Sequence, residues 1–218
     1  MLNLKAIRKE LFGYLAPELA KYGFITKFSD SSFYRKFPRG RQSIHFQFIY
    51  HGVDVDVMVD IAVKFDELEE IINKHKSYLT EKEKKDTWSL GAELGNIRSG
   101  VGIRWTILNN NDIEQVANDM LRAIVSTAIP CLEKYSDMRT ALDAVRGDGT
   151  DDWLYSPFDN ERAMRAIGLA FLLGDRTEFL QLAKAKTEFL TVKTKQKQLE
   201  INIRIFSELR DELEEKLA

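Results

Sequence analysis

Apolar residues recur every three or four positions at Leu4, Ile7, Leu11, Leu15 and Leu19. That spacing lays one stripe along a helix. Gly23 stands where the helix should end, because glycine takes the left-handed conformation of a C-terminal cap at little cost. Pro17 interrupts or kinks the last turns, since it has no N–H to donate. The period then changes to two. Strands are predicted over Phe24–Phe28, Phe33–Phe37, Gln42–Tyr50 and Val53–Phe65. Turn residues separate them at Ser29–Ser32, Pro38–Arg41 and His51–Gly52.

A two-residue loop at His51–Gly52 sets a register, with Gly52 supplying the positive φ of a tight hairpin. Tyr50 then faces Val53, Phe48 faces Val55, Phe46 faces Val57 and Ile44 faces Val59. All eight apolar side chains share one face. The other face receives Gln47 opposite Asp56, His45 opposite Met58 and Ser43 opposite Asp60. A one-residue slip would mix the faces. Burying such side chains is worth on the order of 1.5–3 kcal/mol each. That is comparable to an ordering cost of about 1–2 kcal/mol per residue. The alternation is a folding signal before it is anything else.

Asp66–Leu79 reads as a helix with Leu68, Ile71, Ile72 and His75 on one side, and Thr80–Asp86 as a solvated charged loop. Two more strands are predicted at Thr87–Leu94 and Gly100–Leu108, joined by turn-rich Gly95–Gly100. Asn111 and Glu114 have capping-box spacing. The helix they open buries Ile113, Val116, Met120, Ile124 and Val125, and Pro130 ends or bends it. Glycine-rich, acidic Arg146–Asp152 reads as a linker. Beyond it lie helices near Asp159–Leu173, Thr177–Val192 and Gln196–Leu217. Leu199, Ile203, Phe206, Leu209, Leu213 and Leu217 form a stripe on the last. That stripe serves either packing within the chain or a homodimer through the C-terminal helices; spacing leaves both open. The fold class is α+β: an antiparallel meander sheet of about six strands packed against helices, followed by an all-helical C-terminal extension. The expected division is a domain over 1–146, a linker over 147–158 and a helical extension over 159–218.

Composition narrows the function classes. With 44% hydrophobic and 30% charged residues the chain is an ordinary globular one. Its 32 basic and 34 acidic residues leave a net charge of −2, without the basic excess of a nucleic-acid binder. The one cysteine, Cys131, excludes an internal disulfide and suits a reducing cytoplasm. Cys131, His45, His51 and His75 have no zinc-ligand spacing, and no cofactor is expected. Met1–Ala20 is charged throughout, with no apolar signal core. The longest apolar run, Ala166–Leu173, is eight residues, against about 20 for a membrane span. The reading is a cytoplasmic protein with no membrane partner.

Six segments occur in a telling order: "YGF" (Tyr22–Phe24), "FYRK" (Phe33–Lys36), the strand Gln42–Tyr50, "RWTI" (Arg104–Ile107), "NDIEQV" (Asn111–Val116) and "AIPCLEKYSD" (Ala128–Asp137). The set resembles the uncharacterised bacterial family called domain of unknown function 4304, over about residues 1–146. In that family a leading helix ends in Gly-Phe, a meander follows, and a Trp strand precedes a helix ending near Pro. The family supplies no activity and no catalytic residues, so none are carried over. Domains of this sort are similar in style to small bacterial interaction and toxin-immunity proteins. The strand "VDVDVMVD" is more acidic than the family implies, and the helices after Asp152 lie outside the resemblance.

The chemistry-bearing residues are few. Asp54 and Asp56 form an Asp-x-Asp on one strand face, with Asp60 further along and His45 across the hairpin. Such pairs hold Mg²⁺ in phosphoryl transfer. That chemistry wants a phosphate-cradling turn, a helix N-terminus and a third acid; here another strand and a tight turn precede the aspartates. Alternation for burial accounts for them without any metal. His45 and His75 are candidate acid–base groups. Cys131 is either a small buried thiol or half of a dyad with one of them. Lys184, Lys186, Lys193, Lys195 and Lys197, and separately Lys82, Lys84 and Lys85, offer phosphate contacts or simply solvated faces. Trp88, Trp105 and Trp153 are expected to anchor packing. The leading reading is a non-enzymatic domain whose partner is another protein, immunity-like or defence-associated. The alternative is a metal-dependent phosphoryl-transfer enzyme or nuclease using His45, Asp54, Asp56 and Asp60, with the metal on Asp54 and Asp56.

Overall fold

The side chain of Asn3 accepts the Ala6 N–H at 3.1 Å and opens α1, Leu4–Ala20. The computed structural model describes residues 2–193 and 200–217. Helix α1 runs through Pro17 and buries Ile7, Leu11, Leu15 and Leu19, while Leu4 stays exposed. The Tyr22 and Gly23 N–H groups close its end on the Leu19 and Ala20 carbonyls, and Gly23 has the left-handed φ of 81°.

Strands β1 (Ile25–Lys27), β2 (Ser32–Phe37), β3 (Gly40–Tyr50) and β4 (Val55–Phe65) follow, as the period of two requires. They form an antiparallel sheet in the order β1-β2-β3-β4-β5, where β5 is Leu90–Glu93, and β6 (Trp105–Ile107) also pairs with β4. The fold is thus α+β. Phe33 faces Ile44 across β2 and β3, and Val55 faces Ile107 across β4 and β6.

The hairpin register differs from the expected one by two residues. The His51 N–H donates to the Asp54 carbonyl at 3.0 Å, so His51 faces Asp54 and the loop is Gly52–Val53. A two-residue shift preserves the faces, because the side-chain period is two. Ile44, Phe46, Val55, Val57 and Val59 are buried as expected, but Tyr50 and Val53 are exposed.

Where one helix was expected over Asp66–Leu79, α2 stops at Asn73 (Asp66–Asn73). The expected charged loop contains α3, Glu81–Lys85, opened by a Thr80/Glu83 capping box. The two long strands expected after it are reduced to β5 and β6, and α4 (Leu94–Ser99) replaces the turn. The capping residue before α5 (Ile113–Ala123) is Asn109 with Asp112, not Asn111 with Glu114. Pro130 does not end this helix. A π-helical turn at Ile124–Ala128 leads directly into α6, Ile129–Tyr135. The Ile129 N–H bonds to the Ile124 carbonyl there, so the helix has left the i−4 pattern just before the residue with no N–H. The rest is α7 (Met138–Val145), α8 (Asp159–Leu172), α9 (Arg176–Lys193) and α10 (Glu200–Leu217).

The chain divides into two compact units, and not at residue 146. The first is Met1–Val63 with Gly91–Lys134; the second is Lys64–Leu90 with Tyr135–Ala218. In the first, Phe12 stacks on Phe33 with 4.8 Å between ring centroids, and Phe28 and Phe46 meet Phe12 edge-on. Val55, Val57 and Val59 join Ile7, Leu11, Met120 and Ile124 in this core.

In the second unit α8 is buried almost all round, and α2, α7, α9 and α10 pack on it. Phe206, Leu209 and Leu213 of α10 are buried against α8 and α9, so these three residues of the stripe serve packing within the chain, while Ile203 and Leu217 are half-buried. Leu199 lies outside the described residues. The stretch expected as a linker is an anchor. The Gly147 carbonyl accepts from Arg162 Nε at 3.1 Å and from Lys186 Nζ at 3.0 Å. Asp148 pairs with Lys186 at 2.7 Å and lies 3.5 Å from Arg162. Both cations are fully buried. Burial pushes the Lys186 ammonium below its ordinary pKa, against the opposing pull of Asp148.

Candidate functional site

The odd residues of β4 enter the core, which leaves the even ones from Asp56 to Ala62 half-exposed on the other face of the sheet, while Lys64 near its end is buried. Asp56 is the best-connected group there. Thr106 Oγ1, its register partner on β6, donates to Asp56 Oδ1 at 2.6 Å. His51 Nε2 lies 3.2 Å from Oδ2. Arg104 is on the same side and reaches Met58 Sδ at 3.0 Å. The Thr106 hydrogen bond holds the Asp56 carboxyl below its ordinary value of 3.8, with help from His51 and Arg104. Asp60 is bonded by the amide of Gln47. Asp54 Oδ1 is buried without a hydrogen-bond partner among the described residues.

His45 does not reach Asp56. Its Nδ1 is 2.9 Å from Ser32 Oγ, its partner across β2 and β3. The Ser32 hydroxyl also lies 2.9 Å from the Asp30 carbonyl and is buried, so this pair is a structural bond and not an exposed nucleophile with its base. The histidine at Asp56 is His51, from the hairpin turn. Sequence spacing missed it because the assumed register placed His51 in the loop. The role of Thr106 required knowing that β6 pairs with β4.

The other candidates are separate. His75 Nε2 is bonded to Glu212 at 2.8 Å, which makes it a packing histidine of the second unit. Cys131 is half-buried on α6. Lys186 belongs to the buried cluster and is closed to a phosphate, while Lys184 is exposed. Lys195 and Lys197 lie outside the described residues, as does the Lys193 side chain. Lys84 is engaged by Glu81 at 2.9 Å. Trp153, expected to anchor packing, is exposed.

Among the described residues no three His, Cys, Asp or Glu side chains gather closely enough to hold a metal ion. On the sheet face Asp56 is already engaged by hydroxyl and imidazole groups and Asp60 by an amide. This face can make charged hydrogen bonds to an approaching surface. Thr106→Val removes the largest of these bonds to Asp56, so the Asp56 pKa rises toward 3.8. A carboxyl with a depressed folded pKa stabilises the fold above its unfolded pKa and loses that contribution as pH falls through the folded one. The stability difference between wild type and variant is therefore full near neutrality and narrows below pH 3.8. Carboxyl carbon chemical shifts followed through an acid titration check this; an unmoved Asp56 would refute it.

No helix among the described residues is long and apolar enough to cross a membrane. Fold and face together describe an α+β protein with an open, acidic, hydrogen-bonded sheet surface. In comparison with known proteins, no family model, no curated protein and no solved structure matches the chain.

Proposed function

We propose that this chain is a non-enzymatic protein-interaction domain, of the immunity-like kind suggested by the resemblance to domain of unknown function 4304. One observation carries the reading: exposed apolar residues sit at one end of the acidic face. Val53 is 78% exposed and Leu108 63% exposed. Val53 lies in the hairpin loop, and Leu108 follows Ile107, whose partner is Val55, so both are at the same end of the sheet. Apolar contacts beside polar groups that already hold hydrogen bonds is the anatomy of a partner surface. The acidic groups favour a partner with a basic patch.

The test is affinity capture from the source cell with wild type and with Val53→Glu/Leu108→Glu. Both sites are exposed, so the fold is expected to be retained. A specific partner held by wild type is expected to be lost from the double variant. Equal capture by both would overturn the reading. Melting curves with Mg²⁺ and Mn²⁺ address the rival. A metal-dependent rise in melting temperature that Asp56→Ala abolishes would replace this reading with phosphoryl transfer.

A further inference from the structure

We infer that the outer edge of β3, from Phe46 to Tyr50, is a docking groove for an extended peptide segment carrying acidic side chains. The groove uses residues other than Val53 and Leu108, so it stands or falls apart from the surface proposed above.

The first observation is an unpaired edge. β2 covers β3 only as far as the Ser32–His45 pair, and the Ser31 carbonyl then takes the Phe46 N–H at 2.9 Å. Past this point no strand among the described residues lies on that side of β3. The bond between His51 and Asp54 fixes which groups are left over. Facing pairs in an antiparallel ladder alternate between bonded and non-bonded, so Ile49 and Gln47 point their backbone groups at β4, as His51 does. The N–H and C=O of Phe48 and Tyr50 point the other way, along the same direction as the Phe46 N–H. Such an edge is a template for one more strand.

The second observation is room. A cavity of about 720 Å³ lies against this edge, lined by the four consecutive residues His45–Phe48 together with Lys5 and Arg8 of α1. Consecutive strand residues point to opposite faces of a sheet. A cavity that touches all four therefore lies at the strand's edge, where an added strand would run.

The third observation is charge. No carboxylate lines the cavity, in a chain with 34 of them. Neither Lys5 nor Arg8 pairs with a carboxylate among the described residues. Arg8 lies over the Phe28 ring, 4.3 Å from its centroid, and donates to the Phe28 carbonyl, which holds its guanidinium at the cavity wall. Two uncompensated cations beside aromatic walls and a free strand edge fit a peptide that adds as a strand and presents aspartate or glutamate. Main-chain bonds give such docking its affinity, and the side-chain contacts give it selectivity.

The test is amide hydrogen exchange by NMR on the full chain. In the free protein the Phe48 and Tyr50 amides are expected to exchange fast and those of Gln47 and Ile49 slowly. The probe is a blocked six-residue peptide of alternating valine and aspartate, which is expected to slow Phe48 and Tyr50. The same peptide N-methylated at alternate residues is expected to lose binding. A valine–lysine peptide is expected to bind at least about tenfold more weakly, as is the valine–aspartate peptide to Lys5→Glu/Arg8→Gln. The melting temperature of that double variant confirms its fold. Unchanged amides with the valine–aspartate peptide would overturn the inference. Equal binding of the N-methylated peptide would also overturn it, by showing an anion site without strand addition. Equal binding of the lysine peptide removes the charge argument. Protection that grows with protein concentration alone would assign the edge to a second copy instead.

Discussion

Asp148→Asn lowers the stability of the helical unit by about 3–5 kcal/mol, the cost of removing one partner from a buried ion pair. For a chain of this size that is roughly 6–20 °C in melting temperature. The reason is what remains behind. Lys186 and Arg162 are both fully buried, and Asp148 pairs with Lys186 at 2.7 Å. Arg162 keeps Asp159 at 2.6 Å and the Ser156 carbonyl at 2.9 Å. Among the described residues Lys186 keeps the Gly147 carbonyl and the more distant Asp152 charge, and the neutral amide oxygen left at position 148 replaces an ion pair with an uncharged acceptor. The sign of the accompanying pH effect follows from the depressed Lys186 pKa. Where the unfolded lysine is protonated and the folded one is not, the unfolded state binds more protons, so stability rises with pH. Wild type is thus expected to gain on Lys186→Met as pH climbs toward 10.5, and Lys186→Met is expected to tolerate Asp148→Asn better than wild type does. Chemical denaturation of the four variants measures both. An Asp148→Asn protein as stable as wild type would show that the cluster contributes nothing net.

Gly95→Ala is expected to cost about 3 kcal/mol or more, the upper end of what an overpacked methyl costs. A Cβ at Gly95 would stand 2.3 Å from Ile103 N and 2.6 Å from Val101 O. Both are backbone atoms, so no rotamer change relieves the clash. The loop cannot simply retreat, because the Ile103 N–H is held by Glu93 Oε1 at 2.9 Å. Gly13→Ala is the control with the opposite sign. Gly13 is exposed within α1, and a Cβ there meets nothing within 4 Å. Alanine at a helix interior is worth about 0.5–1 kcal/mol over glycine. Thermal denaturation of both variants should move in opposite directions. A neutral Gly95→Ala would mean that the 101–103 loop can shift away from α4.

These two sites also separate what could be read in advance from what could not. Gly95 stood in a run that reads as turn because glycines and polar residues crowd it. Nothing local says that its backbone approaches residues 101–103. Asp148 stood in an acidic, glycine-rich run that reads as linker on composition alone. Its role depends on a lysine 38 positions away on α9, and sequence separation carries no sign of that bond. Lys186 itself read as part of a basic stretch, since periodicity records where a residue sits on a helix and not what it meets.

Periodicity determined more where burial is the only force at work. The stripe Ile7–Leu11–Leu15–Leu19, the alternation of β3 and β4, and the helices after Asp159 are dictated by which side chains must leave water. The register of the β3–β4 hairpin was only half determined. Burial chooses between faces, and a shift of two residues leaves the faces unchanged. The shift was decided by the His51–Asp54 hydrogen bond, and it placed His51 rather than His45 beside Asp56. The pairing of β6 with β4 brought Thr106 to the same carboxylate from 50 residues away. The end of β2 at Ser32 left the edge of β3 open beside Arg8. Sequence by itself determined which residues would be inside. Tertiary structure decided which polar groups would meet, because hydrogen bonds and ion pairs depend on distances between segments that the hydrophobic pattern does not encode.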